Sequence, residues 1–405
     1  MSVGIMGKIK ASLREQRFIG NRLRLTCSVK ADWGLPDELF FDIVSDQAVA
    51  PPAGMNHFAL ALLVPAMRAG NDLEIEGAVS ARLLQALNGE LQVALATFKK
   101  SLSRISVSAS TILPEMASSR ALNRGCATGF SAGVDSFATI SLYGFEGSRR
   151  IKCLSLFNVG AFGQAGAVGV SEVFEKGGLQ LREFAKNVGC EWVLVDSNLD
   201  AFYAKGLNFP STHTIRNASA ALLLESMVDE YLYSSAFPYN EIAIKPSPCI
   251  ATMDPIILPL METESLRFRS AGAHLSRFEK TEIVSRNDMS FSWLNVCVAP
   301  AADRMSMGRN CSRCWKCNRT LVSLDLIGAL EKYDRVFDLE YYRQNKRSAV
   351  RSAALRALKG SKIDREIVEH VKRSGYPLPS KAELLVVKTF ARLRRLVEKK
   401  LRRAA

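Results

Sequence analysis

The chain has 405 residues, 48% of them hydrophobic and 23% charged, with a formal net charge of +14 and nine cysteines. That length suits two or three domains at roughly 150 residues each. No run is long and apolar enough to span a bilayer, because the best, residues 58–67, is short and contains Pro65. An odd cysteine count, with no apolar segment after Lys8 and Lys10, argues against a disulfide framework and a secretory leader, so the expected location is cytoplasmic, without a membrane partner.

The charge is unevenly placed. Residues 346–405 carry 18 Lys/Arg against 5 Asp/Glu, or +13 of the +14. This basic tail is either a solvated helix face or a contact for RNA or another acidic partner.

In chain order, residues 1–117 read as a small α+β domain of unresolved role. Runs at 23–29 and 38–44 look like strands, 55–67 like a helix, 73–76 like a strand, 78–97 like a helix and 104–108 like a strand. From Asn123 strands and helices alternate. A strand leads into Gly129, a helix covers 134–143, and 151–157 is a strand. A helix at 170–187, a strand at 191–196 and a long apolar helix at 214–233 follow. Strands at 241–244 and 265–268 and a helix at 276–286 complete the alternation. This grammar predicts an α/β fold with a doubly wound, mainly parallel sheet over 118–296. Residues 297–405 are then a cysteine-rich segment and a helical tail, whose last stretch, 381–403, is amphipathic.

The stretch Gly129-Phe130-Ser131-Ala132-Gly133-Val134-Asp135-Ser136 lies between the first of those strands and its helix. Three readings compete for it: a small-residue loop cradling a phosphate at a helix N-terminus, a Gly-x-Ser-x-Gly nucleophile elbow, or a plain turn. Asp135 and Ser136 favour the cradle, offering a carboxylate for Mg²⁺ and a hydroxyl donor. The elbow needs a histidine after Ser131, and His213, His274 and His370 all lie in uninformative contexts.

Cys311, Cys314 and Cys317 recur at two-residue spacings, and Cys297 lies upstream. Four thiolates match a closed tetrahedral Zn²⁺ site, and an iron–sulfur cluster uses the same donors. Arg313, Lys316 and Arg319 would offset the charge of such a centre. The remaining five, Cys27, Cys126, Cys153, Cys190 and Cys249, sit in apolar stretches as small hydrophobes.

Together these features resemble the N-type ATP pyrophosphatases, or PP-loop enzymes, whose loop reads Ser-Gly-Gly-x-Asp-Ser, with Ala132 here in the first glycine position. The four cysteines narrow the resemblance to the 7-cyano-7-deazaguanine synthase family. So do Pro210-Ser-Thr-His213-Thr-Ile-Arg216-Asn217, Asp254-Pro255-x-x-x-Pro259-Leu260 and Ser276-Arg277-x-Glu279-Lys280-x-x-Ile283. The resemblance covers residues 123–320 and leaves out both ends, so the chain is expected to be a relative with its own substrate.

The resemblance implies a HUP-like fold and a ligase-type reaction. ATP adenylates a carboxylate or carbonyl oxygen of a small-molecule substrate, pyrophosphate leaves, and a nitrogen nucleophile displaces AMP. It assigns the chemistry to Asp135, Ser131, Arg216 and Lys280. Ser131, Ala132, Gly133, Val134 and Ser136 would cradle pyrophosphate, Asp135 would hold Mg²⁺, and Phe157 and Asn158 would border adenine. Arg277 joins Arg216 and Lys280 as a phosphate or substrate contact, and Cys297, Cys311, Cys314 and Cys317 would hold Zn²⁺. His213 is either a substrate contact or a capping histidine, and Asp196 a strand-end carboxylate of lesser weight. The alternatives are a non-catalytic nucleotide- or RNA-binding protein on the same fold, a tRNA sulfur-transfer enzyme and, least well supported, a serine hydrolase. A homodimer is left open.

Overall fold

The computed structural model describes residues 7–114, 124–147, 149–163, 170–298, 310–380 and 382–384. The chain divides into two compact units, Met1–Ser131 with Leu142–His274, and Ala132–Ser141 with Leu275–Ala405.

The first unit opens with β1 (Lys8–Ile19), β2 (Arg22–Ala31), β3 (Glu38–Ser45), α1 (Asn56–Ala69), β4 (Asp72–Ser80), α2 (Ala81–Asn88), α3 (Glu90–Phe98) and β5 (Val107–Leu113). The sequence reading misses β1, whose outer half is charged and exposed while Ile9 and Ala11 alternate into the core. After β6 (Cys126–Gly129) the chain enters α4 (Val134–Tyr143), at the position expected. Next come β7 (Ile151–Asn158), α5 (Val170–Val188), β8 (Glu191–Ser197), α6 (Leu199–Phe202), α7 (His213–Ala221), β9 (Glu230–Ser234), α8 (Asp254–Ile257) and β10 (Arg267–Ala271).

The ten described strands form one sheet in the order β10-β9-β6-β7-β8-β3-β2-β1-β4-β5, mostly parallel. The stretch 1–117, expected as a separate domain, contributes strands to this same sheet: β3 pairs antiparallel with β8, with Phe41 opposite Ser197 and Asp42 opposite Asp196. Side chains finish this seam. Asn198 accepts from the Phe40 N–H at 3.0 Å and donates to the Glu38 carbonyl at 2.8 Å. Asp42 and Asp196 would repel each other directly across the pair, but Arg22 and Arg24 reach Asp42 at 3.3 and 3.2 Å and Asn158 donates to Asp196 at 2.7 Å.

The expected helix at 214–233 is also corrected. It stops as α7 at Ala221, passes through a 3-10 turn, and resumes as the strand β9 between β6 and β10. A strand with a neighbour on each edge and both faces covered reads as a continuous apolar run, so Tyr231-Leu232-Tyr233 is ambiguous by periodicity; its aromatic content favours the strand. The expected strand at 241–244 is a 3-10 turn followed by irregular chain.

Helix α1 is buried almost all round although it contains Pro65. Proline has no N–H, which leaves the carbonyl four residues back without its helical donor. That carbonyl belongs to Ala61, and the buried Tyr203 hydroxyl donates to it at 2.9 Å.

In the second unit, residues 134–141 of α4 are joined by α9 (Arg277–Val284), α10 (Asp288–Trp293), α11 (Trp315–Ile327), α12 (Leu339–Leu358) and α13 (Lys362–Arg373). Cys317, Leu321, Leu324, Tyr342, Val350, Ile367 and Val371 are buried here. A buried carboxylate, Asp364, ties three helices by accepting from Arg319, Arg356 and the N-cap Ser361. The amphipathic stretch expected at 381–403 lies outside the described residues, apart from 382–384. Among the described residues no helix is long and apolar enough to cross a membrane.

Candidate functional site

The strand order places β6 at a reversal point. From β6 the chain steps outward to β7 and β8, then returns to lay β9 and β10 on the other side of β6. Open α/β sheets bind ligands beyond the carboxyl ends of strands at such a point. β6 ends at Gly129, so the loop expected to cradle a phosphate leaves the sheet there.

In that loop Ala132 has φ +57°, the left-handed region that glycine enters freely and alanine enters only with strain. The residue occupies the expected glycine position and takes up a backbone conformation typical of glycine. The Asn295 N–H holds its carbonyl at 2.8 Å. Ser131 is exposed and, among the described residues, makes no hydrogen bond to a histidine, so the nucleophile elbow gains nothing. The Ser136 hydroxyl, expected to face phosphate, is buried and donates to the Gly133 carbonyl at 3.0 Å.

Asp135 stands in the first turn of α4, and two cations meet it. Arg277 lies 2.6 Å from one carboxylate oxygen and the Lys280 ammonium 3.5 Å from the other. Both cations come from the first turn of α9, which Ser276 and Glu279 fix with a reciprocal capping box. Two helix N-termini thus present their donors and partial positive charge around one carboxylate. The cluster carries two positive charges against one negative. Lys280 is only 2% exposed, and burial lowers its pKa against the upward pull of Asp135. Arg277 Nε is buried and has no hydrogen-bond partner among the described residues. A buried guanidinium N–H without an acceptor is costly, and an anion entering here would supply one.

The four cysteines converge. Their sulfurs all lie within 4.8 Å of one another, with 4.0 Å between Cys297 and Cys314, 3.9 Å between Cys311 and Cys317, and 3.5 Å between Cys314 and Cys317. A tetrahedral ion with metal–sulfur bonds of about 2.3 Å needs sulfurs about 3.8 Å apart, so the cluster could hold a metal such as zinc. Backbone N–H groups of Arg313 and Cys314 point at Cys311 Sγ from 3.5 and 3.2 Å. Ser312, between Cys311 and Arg313, has φ +55° and with Ala132 is one of two described non-glycine residues in the left-handed region. The expectation that Arg319 offsets the charge of the centre is corrected, because its guanidinium is committed to Asp364 at 3.0 and 2.5 Å. Arg313 lies over the Tyr341 ring at 4.6 Å.

No family model, curated protein or solved structure matches this chain.

Other expected site residues fall elsewhere. Arg216 is not presented to a ligand: it is 1% exposed, pairs with Asp200 at 2.5 Å, and donates to Thr212 and to the carbonyls of Val159 and Leu207. Its guanidinium also lies 4.1 Å from the Tyr203 ring centroid, so it is a strut for the chain around α6. Gly160, at φ +101°, leaves it room, since a Cβ there would collide with Arg216 and Asp200. Phe157 is buried and stacks on Tyr231, with centroids 5.9 Å apart, rather than standing open at a strand end. Asn158 is half-buried and donates to Asp196 across the ends of β7 and β8. Of the five cysteines read as buried hydrophobes, Cys27, Cys126 and Cys153 are buried, whereas Cys190 and Cys249 are half-buried.

Proposed function

We propose that the chain is an ATP-dependent adenylating enzyme of PP-loop type, similar to the 7-cyano-7-deazaguanine synthase family. It would split ATP into AMP and pyrophosphate while activating a carboxylate or carbonyl oxygen for a nitrogen nucleophile. The observation that carries this reading is the cationic cluster around Asp135, whose Arg277 Nε has no partner among the described residues. Pyrophosphate departure concentrates negative charge on phosphate oxygens, and fixed cations with helix N-termini are what such a transition state requires. The left-handed Ala132 supports the same reading, because it keeps the glycine-like backbone of a phosphate loop.

In this scheme Arg277 and Lys280 bind the pyrophosphate end of ATP, helped by backbone donors of the 131–136 loop. Asp135 is the residue that would hold Mg²⁺, whose charge offsets that of the leaving pyrophosphate. Cys297, Cys311, Cys314 and Cys317 would hold Zn²⁺ structurally, since a closed four-thiolate shell leaves no position for substrate.

The test is to incubate the full chain with magnesium, ATP and a panel of carboxylic acids and amides, then separate the nucleotides. Pyrophosphate and AMP are expected. ADP and inorganic phosphate would overturn the mechanism.

A further inference from the structure

A second cluster of reactive groups lies in the first unit and has no part in phosphate binding. It gathers at the carboxyl end of β9, the strand beside β6 at the reversal point of the sheet, and at the start of α7. His213, the first residue of α7, has its Nδ1 3.0 Å from the Tyr233 hydroxyl and its Nε2 3.6 Å from the Cys249 sulfur. Asn217, one turn along α7, donates to the Tyr233 oxygen at 3.2 Å. Thr214 stands 3.5 Å from His213 Nδ1 and donates to Asp254 at 2.7 Å. The other Asp254 oxygen is buried and has no partner among the described residues.

We propose that Cys249 is a nucleophile and His213 its general base, forming a site that takes an activated acyl group as a transient thioester. Nucleophile, base and a third group orienting the base are the parts that covalent catalysis needs. When Nδ1 carries the ring proton and donates to Tyr233, Nε2 turns its lone pair to the thiol. The sulfur then attacks the acyl carbon, its proton passes to Nε2, and the activating group leaves with the electron pair of the broken bond. A nitrogen nucleophile later attacks the thioester carbon and loses a proton to solvent, the C–S bond breaks with its electron pair going to sulfur, and the sulfur recovers its proton from the imidazolium.

Three features separate this cluster from ordinary packing. First, Cys249 is half-buried and follows the exposed Pro248 in the chain. Second, Cys27, Cys126 and Cys153 place their sulfurs against carbonyl or carboxylate oxygens; Cys249 meets an imidazole. Third, Tyr233 engages His213 Nδ1, so it is the other ring nitrogen that meets the sulfur. Burial pushes the Cys249 thiol up and brings His213 down to about 4, helped by the charge of Arg216. The resting pair at neutral pH is thus a thiol and a neutral imidazole, and the proton moves during attack rather than before it.

The experiment needs no ATP, which keeps its failure distinct from failure of the adenylation reading. The full-length protein is treated with p-nitrophenyl acetate at neutral pH, and tryptic peptides are scored for hydroxylamine-labile acetyl groups. Cys190, also half-buried and pushed up to about 12, is the internal control. Acetyl is expected on Cys249 at least about tenfold faster than on Cys190, and His213→Ala should remove that advantage. His213→Gln, which keeps a polar side chain but offers no base, should behave as His213→Ala and covers the case in which the alanine variant unfolds. Equal labelling of Cys249 and Cys190, or undiminished Cys249 labelling in a folded His213 variant, would overturn the proposal.

Discussion

Arg277 and Asp135 are 142 residues apart in sequence and 2.6 Å apart in space, each in the first turn of its own helix. The pair joins α4 to α9 and sets the charge of the candidate phosphate site, so its two roles separate by mutation. Asp135→Asn keeps the shape and removes the charge. Pyrophosphate release should fall at least about 100-fold in this variant, while the melting temperature moves only a few degrees, because the pair is partly exposed. A variant that releases pyrophosphate at the wild-type rate would remove Asp135 from the mechanism.

Ala132 provides a direct measure of strain. Ala132→Gly should be neutral or stabilise by up to about 1 kcal/mol, the relief of φ being partly offset by the freer unfolded chain. Ala132→Val should cost more than about 1 kcal/mol, since a β-branched residue resists the left-handed region. Urea unfolding of the two variants beside wild type checks both signs.

The hydroxyl of Tyr203 replaces the donor that Pro65 lacks. Tyr203→Phe leaves the Ala61 carbonyl buried and unpaired and should cost about 1–3 kcal/mol. In the double variant with Pro65→Ala, whose restored N–H can reach Ala61, the cost of Tyr203→Phe should be much smaller. Chemical denaturation of the four proteins gives the coupling directly.

Metal analysis should find about one zinc ion per chain, and Cys314→Ser should lose it. Because a structural metal binds the folded state, a strong chelator should lower the melting temperature of the wild type and leave Cys314→Ser unmoved. Stoichiometric iron with a visible absorption band would reassign the centre.

Two buried groups give pH dependences of opposite sign. His57 is fully buried between Phe41 and Phe58, neither ring nitrogen has a partner among the described residues, and burial drops its pKa to about 3. The unfolded chain therefore protonates first, and stability is lost as the pH falls from about 6.5 towards 3. Asp254 is raised to about 7 by burial, so the folded state keeps its proton longer and stability is lost as the pH rises from about 4 to 7. His57→Phe should flatten the acid limb of the stability profile, and Asp254→Asn should flatten the limb between about pH 4 and 7. Urea midpoints across that range, read for both variants, distinguish the two.

The legible parts of this molecule are those set by local chemistry. The spacing of Cys311, Cys314 and Cys317 with Cys297 upstream foretold a cluster that the fold closes. The small-residue run before Val134 marked the strand-to-helix turn, and its one irregular residue, Ala132, is where the backbone is strained. What stayed hidden depends on long-range pairing. Nothing near Tyr231 says that it enters a sheet between β6 and β10, and so the cluster of His213, Tyr233, Cys249 and Asp254 had no local signature. Arg216 misled for a related reason: an arginine beside a suggestive motif looks the same in sequence whether it faces a ligand or braces a buried turn.

The seam between β3 and β8 has a consequence for how the protein is made. Phe40 meets Asn198, 158 residues later in the chain. At about 5–20 residues per second, a ribosome needs roughly 8–30 s to deliver the second partner after the first. Throughout that interval β3 has β2 on one side and no strand on the other, leaving the backbone N–H and C=O groups of Phe41–Ser45 that later pair with β8 unmatched. An open edge of that kind recruits other strands. The newly made N-terminal half is thus a natural client for a chaperone, and slow translation between residues 45 and 191 would lengthen its exposure to aggregation.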